Sequence, residues 1–104
     1  MKRPTYMLVD LTAIRPTEEE DTYSTLYLHQ LAVAIVSAEC LPIPIPVEEI
    51  APFCYRVICN NELYFAAMRA KVLNPRLFET IDCFVFPEGR QYQAVEMFQA
   101  FTDD

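Results

Sequence analysis

Glycine is nearly absent from this chain: among 104 residues only Gly89 is found. A phosphate cradle leans on glycine, because a residue without Cβ lets the backbone close on the ligand. The P-loop, the G-x-G-x-x-G turn and the G-x-S-x-G elbow are therefore all excluded. Histidine is as scarce, with His29 alone. No Ser-His-Asp or Cys-His grouping emerges from residue order, and His29 reads as a surface or hydrogen-bonded side chain. Basic residues number 8 against 15 acidic, a net charge of −7. Only Lys2 and Arg3 are adjacent, whereas acids cluster at Glu18-Glu19-Glu20-Asp21, Glu48-Glu49 and Asp103-Asp104. Binding to nucleic acid needs a basic face, so the charge disfavours that partner. No apolar run approaches the roughly 20 residues that cross a bilayer, and no hydrophobic segment follows Met1-Lys2-Arg3-Pro4 as in a signal peptide. The expectation is a cytoplasmic chain without membrane contact.

What is present is apolar material, 53 % of the residues. That supports one core and one domain over residues 1–104. The four cysteines, Cys40, Cys54, Cys59 and Cys83, form no C-x-x-C pair. They read as small buried side chains. Neither a metal nor another cofactor is expected.

The pattern along the chain predicts strand, helix, strand, strand, helix, strand, helix. Tyr6 to Leu11 is the first strand, followed by a connection over Thr12 to Thr17. A helix start is expected at Thr17, with an acidic first turn, or near Asp21 or Ser24. Leu26 to Ala38 has apolar residues at helical spacing. In Leu41 to Val47, Pro42, Pro44 and Pro46 alternate with Ile43, Ile45 and Val47. Three missing donors on one side predict an edge strand. Glu48 to Phe53 is expected to be a loop. Tyr55 to Cys59 is expected to be the central strand, and Asn60-Asn61 the turn and cap into a helix from Glu62 to Val72. Arg76 to Glu79 suits a single helical turn and Thr80 to Phe86 a strand. Pro87 opens a final helix with Tyr92, Val95, Met97, Phe98 and Phe101 on its apolar side. The predicted class is α+β, a small mixed sheet with helices packed on it.

Order and residues together resemble the ParB-like/sulfiredoxin-like superfamily. Its I-x-P turn is matched by Ile14-Arg15-Pro16, and its P-I-x-V segment by Pro42 to Val47. Its Y-x-V-I strand is matched by Tyr55-Arg56-Val57-Ile58. Its signature turn and alanine-rich helix fall on Asn61-Glu62-Leu63-Tyr64-Phe65-Ala66-Ala67, and a closing strand on Ile81 to Phe86. The resemblance implies a nucleotide-holding corner at the start of that helix. In the ParB form of the turn, G-E-R-R-aromatic-R-A, only Glu62, Phe65 and Ala67 agree. Asn61 replaces glycine, while Leu63, Tyr64 and Ala66 replace the arginines. In the sulfiredoxin form, Glu62 falls at the cysteine, Leu63 at the histidine and Tyr64 at the arginine. The lost cations are those that bind phosphate by charge-assisted hydrogen bonds.

This predicts a remnant ligand pocket at Asn60, Asn61, Glu62 and Tyr64 with no catalytic residue. The function expected is non-catalytic binding or regulation on a degenerate ParB-like scaffold. Its partner would be another protein or a second copy of the chain, met through a surface rich in Tyr23, Tyr27, Tyr64 and Tyr92. One alternative is a DNA-associated or nuclease protein with a basic face from Lys2, Arg3, Arg56, Arg69, Lys71, Arg76 and Arg90. Another is a small-molecule sensor or enzyme using the remnant pocket.

Overall fold

The computed structural model describes residues 5–89 together with Val95. Five strands form one mixed sheet: β1 (Thr5–Asp10), β2 (Ile14–Arg15), β3 (Ile45–Ala51), β4 (Cys54–Val57) and β5 (Thr80–Phe86). Two helices accompany them, α1 (Thr25–Ala38) and α2 (Asn61–Leu73). The strand order is β1-β5-β3-β4-β2. The β1–β5 and β3–β4 pairs are antiparallel, and the β3–β5 and β2–β4 pairs are parallel. This is the expected α+β class.

Alternation along the strands sorts side chains to two faces. Val9, Ile45, Val47, Tyr55, Val57, Ile81, Cys83 and Val85 point to one face and share a core with Leu28, Ala32 and Ile35 of α1 and with α2. Both helices bury alanines completely, Ala32 on one and Ala66, Ala67 and Ala70 on the other. Small side chains let helix axes approach closely. Burial raises the Cys83 thiol to about 12. A second, smaller cluster on the opposite face gathers Phe86, Ile43, Ile58, Cys59 and Phe84.

The helices begin and end for local reasons. Ser24 caps α1, its hydroxyl accepting from the Tyr27 amide at 3.2 Å. Of the starts considered, the one near Ser24 is correct; the acidic run instead contains a separate 3-10 turn at Glu20–Thr22. With glycine so scarce, Glu39 takes the left-handed conformation (φ 59°) that ends α1. Its amide closes on the Val36 carbonyl at 3.3 Å. Phe53, Asn60 and Phe78 are left-handed as well.

Several expectations are corrected. The proline-rich segment is not an edge strand. Pro42 and Pro44 precede β3, and β3 lies at the centre of the sheet, between β5 and β4. Pro46 is tolerated there because its missing donor falls at the last rung of the antiparallel ladder. The Ile58 amide donates to the Pro46 carbonyl at 2.9 Å, and only the return bond is lost. Glu48 to Ala51, expected as a loop, continues this strand. The strand expected at the centre is β4, second from the edge and ending at Val57. Ile14 and Arg15, expected as connection, pair with Tyr55 and Arg56. Residues 76–79 form no helical turn. The expected final helix lies outside the described residues apart from Val95.

Candidate functional site

The corner singled out by the sequence is where β4 passes into α2. Asn60 makes the turn in the left-handed region (φ 64°, ψ 42°) and its side chain does not cap the helix. Asparagine is among the few residues besides glycine that visit this region readily. The Leu63 amide donates to the Asn60 carbonyl at 3.0 Å. Glu62 supplies negative charge in the first turn, where the helix dipole favours it.

Asn61 is 3 % exposed, and both its side-chain oxygen and its nitrogen are hydrogen-bonded. Its Oδ1 accepts from the Thr17 amide at 2.9 Å, and its Nδ2 donates to Thr17 Oγ1 at 3.0 Å. Because a backbone amide only donates, it orients the side-chain amide. The Thr17 hydroxyl in turn donates to the Val57 carbonyl at 3.1 Å. This chain of bonds ties the segment after β2 to the end of β4 and the start of α2. Thr17 was expected only as a helix cap; nothing local in the sequence signals a partner 44 residues away.

The side chains after Glu62 turn inward. Leu63, Tyr64, Phe65 and Ala66 are buried in the core, and Tyr64 meets Phe65 edge-on at 5.3 Å between ring centres. Burial raises the Tyr64 hydroxyl, and the nearby charge of Arg15 partly counters it. Arg15 itself donates from Nη1 to the Thr12 carbonyl at 3.2 Å. On the flank, the half-buried Tyr23 packs against Phe65 at 6.3 Å and donates to Glu18. Its hydroxyl is pushed far up by burial, by that bond and by the charges of Glu62 and Glu18. Cys59 is raised by burial and by Glu62. Carboxylates therefore dominate the electrostatics of this corner. Of the tyrosines expected at a binding surface, Tyr27 is exposed, Tyr23 is half-buried, Tyr64 is buried and Tyr92 lies outside the described residues.

Next to the corner, on the opposite face of the sheet, is a cleft of about 400 Å³ lined by Thr17, Glu48, Arg56, Val57, Ile58 and Val95. Glu48 is 2 % exposed. It accepts from Arg56 and, through Oε2, from the Gly89 amide at 2.6 Å. Burial pushes its carboxyl up, but the Arg56 hydrogen bond, the Gly89 amide and the Arg56 charge outweigh it and hold the group below its ordinary value. Glu48 and Arg56 are directly opposed across the β3–β4 pair. A hairpin reading of Ile45 to Val57 would have found them; the loop expected over Glu48 to Phe53 concealed them.

Among the described residues, Arg56 and Arg69 lie in different layers. Arg56 leaves the sheet on the face away from the helices and pairs with Glu48. Arg69 belongs to α2, in the other layer, and pairs with Glu20 at 3.3 Å. Lys2, Arg3 and Arg90 lie outside the described residues. Among the described residues, no group of three or more His, Cys, Asp or Glu could hold a metal ion. Among them too, no helix is long and apolar enough to cross a membrane.

No family model matches the chain, and no curated protein matches it. Solved structures do. The C-terminally truncated chromosome-partitioning protein ParB from Caulobacter crescentus, complexed with CTP-gamma-S, superposes with a TM-score of 0.69 at 13 % identity. That match covers 96 % of this chain and 54 % of the other. Sulfiredoxin from Arabidopsis thaliana gives 0.65 at 18 % identity, covering 90 % of this chain and 98 % of its own. C-terminally truncated SbnI from Staphylococcus aureus gives 0.61 at 20 % identity, over 80 % of this chain and 31 % of its own. The chain thus spans about half of the ParB chain and a third of SbnI, but nearly all of sulfiredoxin. Identities this low speak for architecture alone: the chain has the ParB/sulfiredoxin-like fold.

Proposed function

We infer that this is a non-catalytic binding or regulatory domain on a degenerate ParB-like scaffold, acting through contacts with protein. The observation that carries the reading is the burial of Leu63, Tyr64 and Ala66. The resemblance puts phosphate-binding arginines at these positions; here the side chains serve the core. Asn61, where the resemblance puts glycine, is occupied by Thr17. Glu18 and Glu62 add repulsion toward an anion. Charged hydrogen bonds are worth about 1.5–3 kcal/mol each, so their joint loss removes useful affinity for a triphosphate.

The ParB structure above was complexed with CTP-gamma-S. For the present chain, a thermal-shift series with ATP, CTP and GTP, each with magnesium, is the direct test. A ligand at a hundred times its Kd stabilises the folded state by about 2.7 kcal/mol. The expected result is an unchanged midpoint with all three. A nucleotide-specific rise of several degrees would overturn the reading. The DNA-associated alternative draws no support from Arg56 and Arg69, which sit in different layers and are each paired with an acid. A small-molecule role would fall to Asn60 and Glu62, since Asn61 and Tyr64 are buried.

A further inference from the structure

The edge strand β1 carries unusual exposure. Tyr6 is 56 % and Leu8 60 % exposed, and Met7 is also open to solvent. Exposed edges are normally blunted by lysine, proline, bulges or brevity. Thr5–Asp10 has no lysine or proline, and its six-residue register with β5 is unbroken.

Which backbone groups of β1 have no strand partner among the described residues follows from the register. Thr5 faces Val85 and Asp10 faces Thr80. One residue further on, the Leu11 amide donates to the Glu79 carbonyl at 3.0 Å. Antiparallel bonding alternates, so Thr5, Met7 and Val9 direct their amides and carbonyls at β5. Tyr6, Leu8 and Asp10 direct theirs outward.

We propose that this edge binds the β1 edge of a second copy, antiparallel, about a two-fold axis at Leu8. That register sets Leu8 against Leu8 of the second copy and Tyr6 against its Asp10. All three outward residues then form hydrogen-bonded pairs. Met7 falls opposite Val9 of the second copy, which is already buried in its own core, so the new apolar contact is Leu8 against Leu8 on the other face. A slip of two residues one way sets Asp10 against Pro4, which has no amide. A slip the other way sets Tyr6 against Thr12, whose amide already donates to the Asp10 carboxylate at 2.9 Å. Charge selects the same orientation. Lys2 and Arg3 precede the strand and Asp10 ends it, so antiparallel pairing joins unlike ends and parallel pairing joins like ones. The Asp82 carboxylates, one strand further in, would be about three strand spacings apart, roughly 14 Å, and largely screened at physiological salt. A two-fold contact also closes, avoiding open-ended assembly.

The inference rests on the reading of this domain as one that works through protein contacts, but its test is separate. A nucleotide-induced thermal shift would sink that reading and leave the dimer measurement standing. Sedimentation velocity on the full chain, up to about 100 µM, is expected to show a concentration-dependent dimer. Leu8→Pro removes only an outward amide, and an edge strand tolerates that; Leu8→Lys retains the backbone and adds a gatekeeper charge. Both are expected to be monomeric, with thermal midpoints at low concentration close to the parent's. In a Cys40→Ser background, Leu8→Cys should cross-link on oxidation, since opposed Cα atoms would be about 5.5 Å apart. Thr5→Cys, about 20 Å from its counterpart, should not. A monomer at every concentration overturns the proposal. So does a dimer indifferent to both Leu8 substitutions, or equal cross-linking at positions 5 and 8.

Discussion

Asn61 and Thr17 exchange hydrogen bonds across 44 residues of sequence, and Thr17 passes one on to the Val57 carbonyl. Removing the Thr17 side chain strands Nδ2 of the buried Asn61, and removing that of Asn61 leaves the Thr17 amide without its acceptor, each costing about 1–3 kcal/mol. Asn61→Ala and Thr17→Ala are each expected to lower stability by that amount in urea titrations. The double variant should fall well short of their sum, because the two report one interaction. Strict additivity would show that the pair is not coupled. Glu48 gives a second residue-scale prediction. Its carboxyl is held below the ordinary value, net of burial, by Arg56 and the Gly89 amide. A group of that kind contributes stability above its unfolded pKa and loses it as pH falls through the folded value. The thermal midpoint should therefore drop between about pH 5 and pH 3, and Glu48→Gln should flatten that slope. Identical pH profiles for the two proteins would remove Glu48 from the account. Sequence supplied Asn61, but as a pocket residue; its partner was invisible because the pairing is made by the fold.

At the scale of elements, β3 is the middle strand of the sheet, pairing on both sides with Ile45 and Val47 fully buried. Ile45→Ala should cost about 2–5 kcal/mol by transfer and cavity terms. Pro46→Ala should stay within about 1 kcal/mol of the parent. It restores a donor toward the Ile58 carbonyl, while loosening the unfolded chain. Comparable damage from the two substitutions would contradict the position of Pro46 at the ladder's end. Both helices were legible from apolar spacing, and α2 differs from its expected limits by one residue at each end. The strand was misplaced for a definite reason. Alternating prolines do remove donors from one side, but only Pro46 of the three is inside the strand. The acidic pair Glu48-Glu49 disguised its continuation, since one carboxylate is neutralised by a cation on the neighbouring strand.

For the whole molecule, the charge of −7 acts against compactness. Lowering ionic strength from 0.15 M to 0.01 M lengthens the screening distance from about 8 Å to about 30 Å. The thermal midpoint in sodium chloride is expected to rise by a few degrees over the reverse change. A flat or falling response would mean that local pairs, such as Glu20 with Arg69, outweigh the long-range repulsion. Sequence alone determined the α+β class, the two helices, the resemblance, and which side chains stand at the positions where the resemblance expects phosphate-binding ones. These follow from composition and from periodicities a few residues long. Only the tertiary structure decided the strand order, the central place of β3, the lock on Asn61 and the place of β1 at the end of the sheet among the described residues. Each depends on which distant segments pair, and pairing is settled by the joint burial of both faces of a sheet, a quantity that no local window contains.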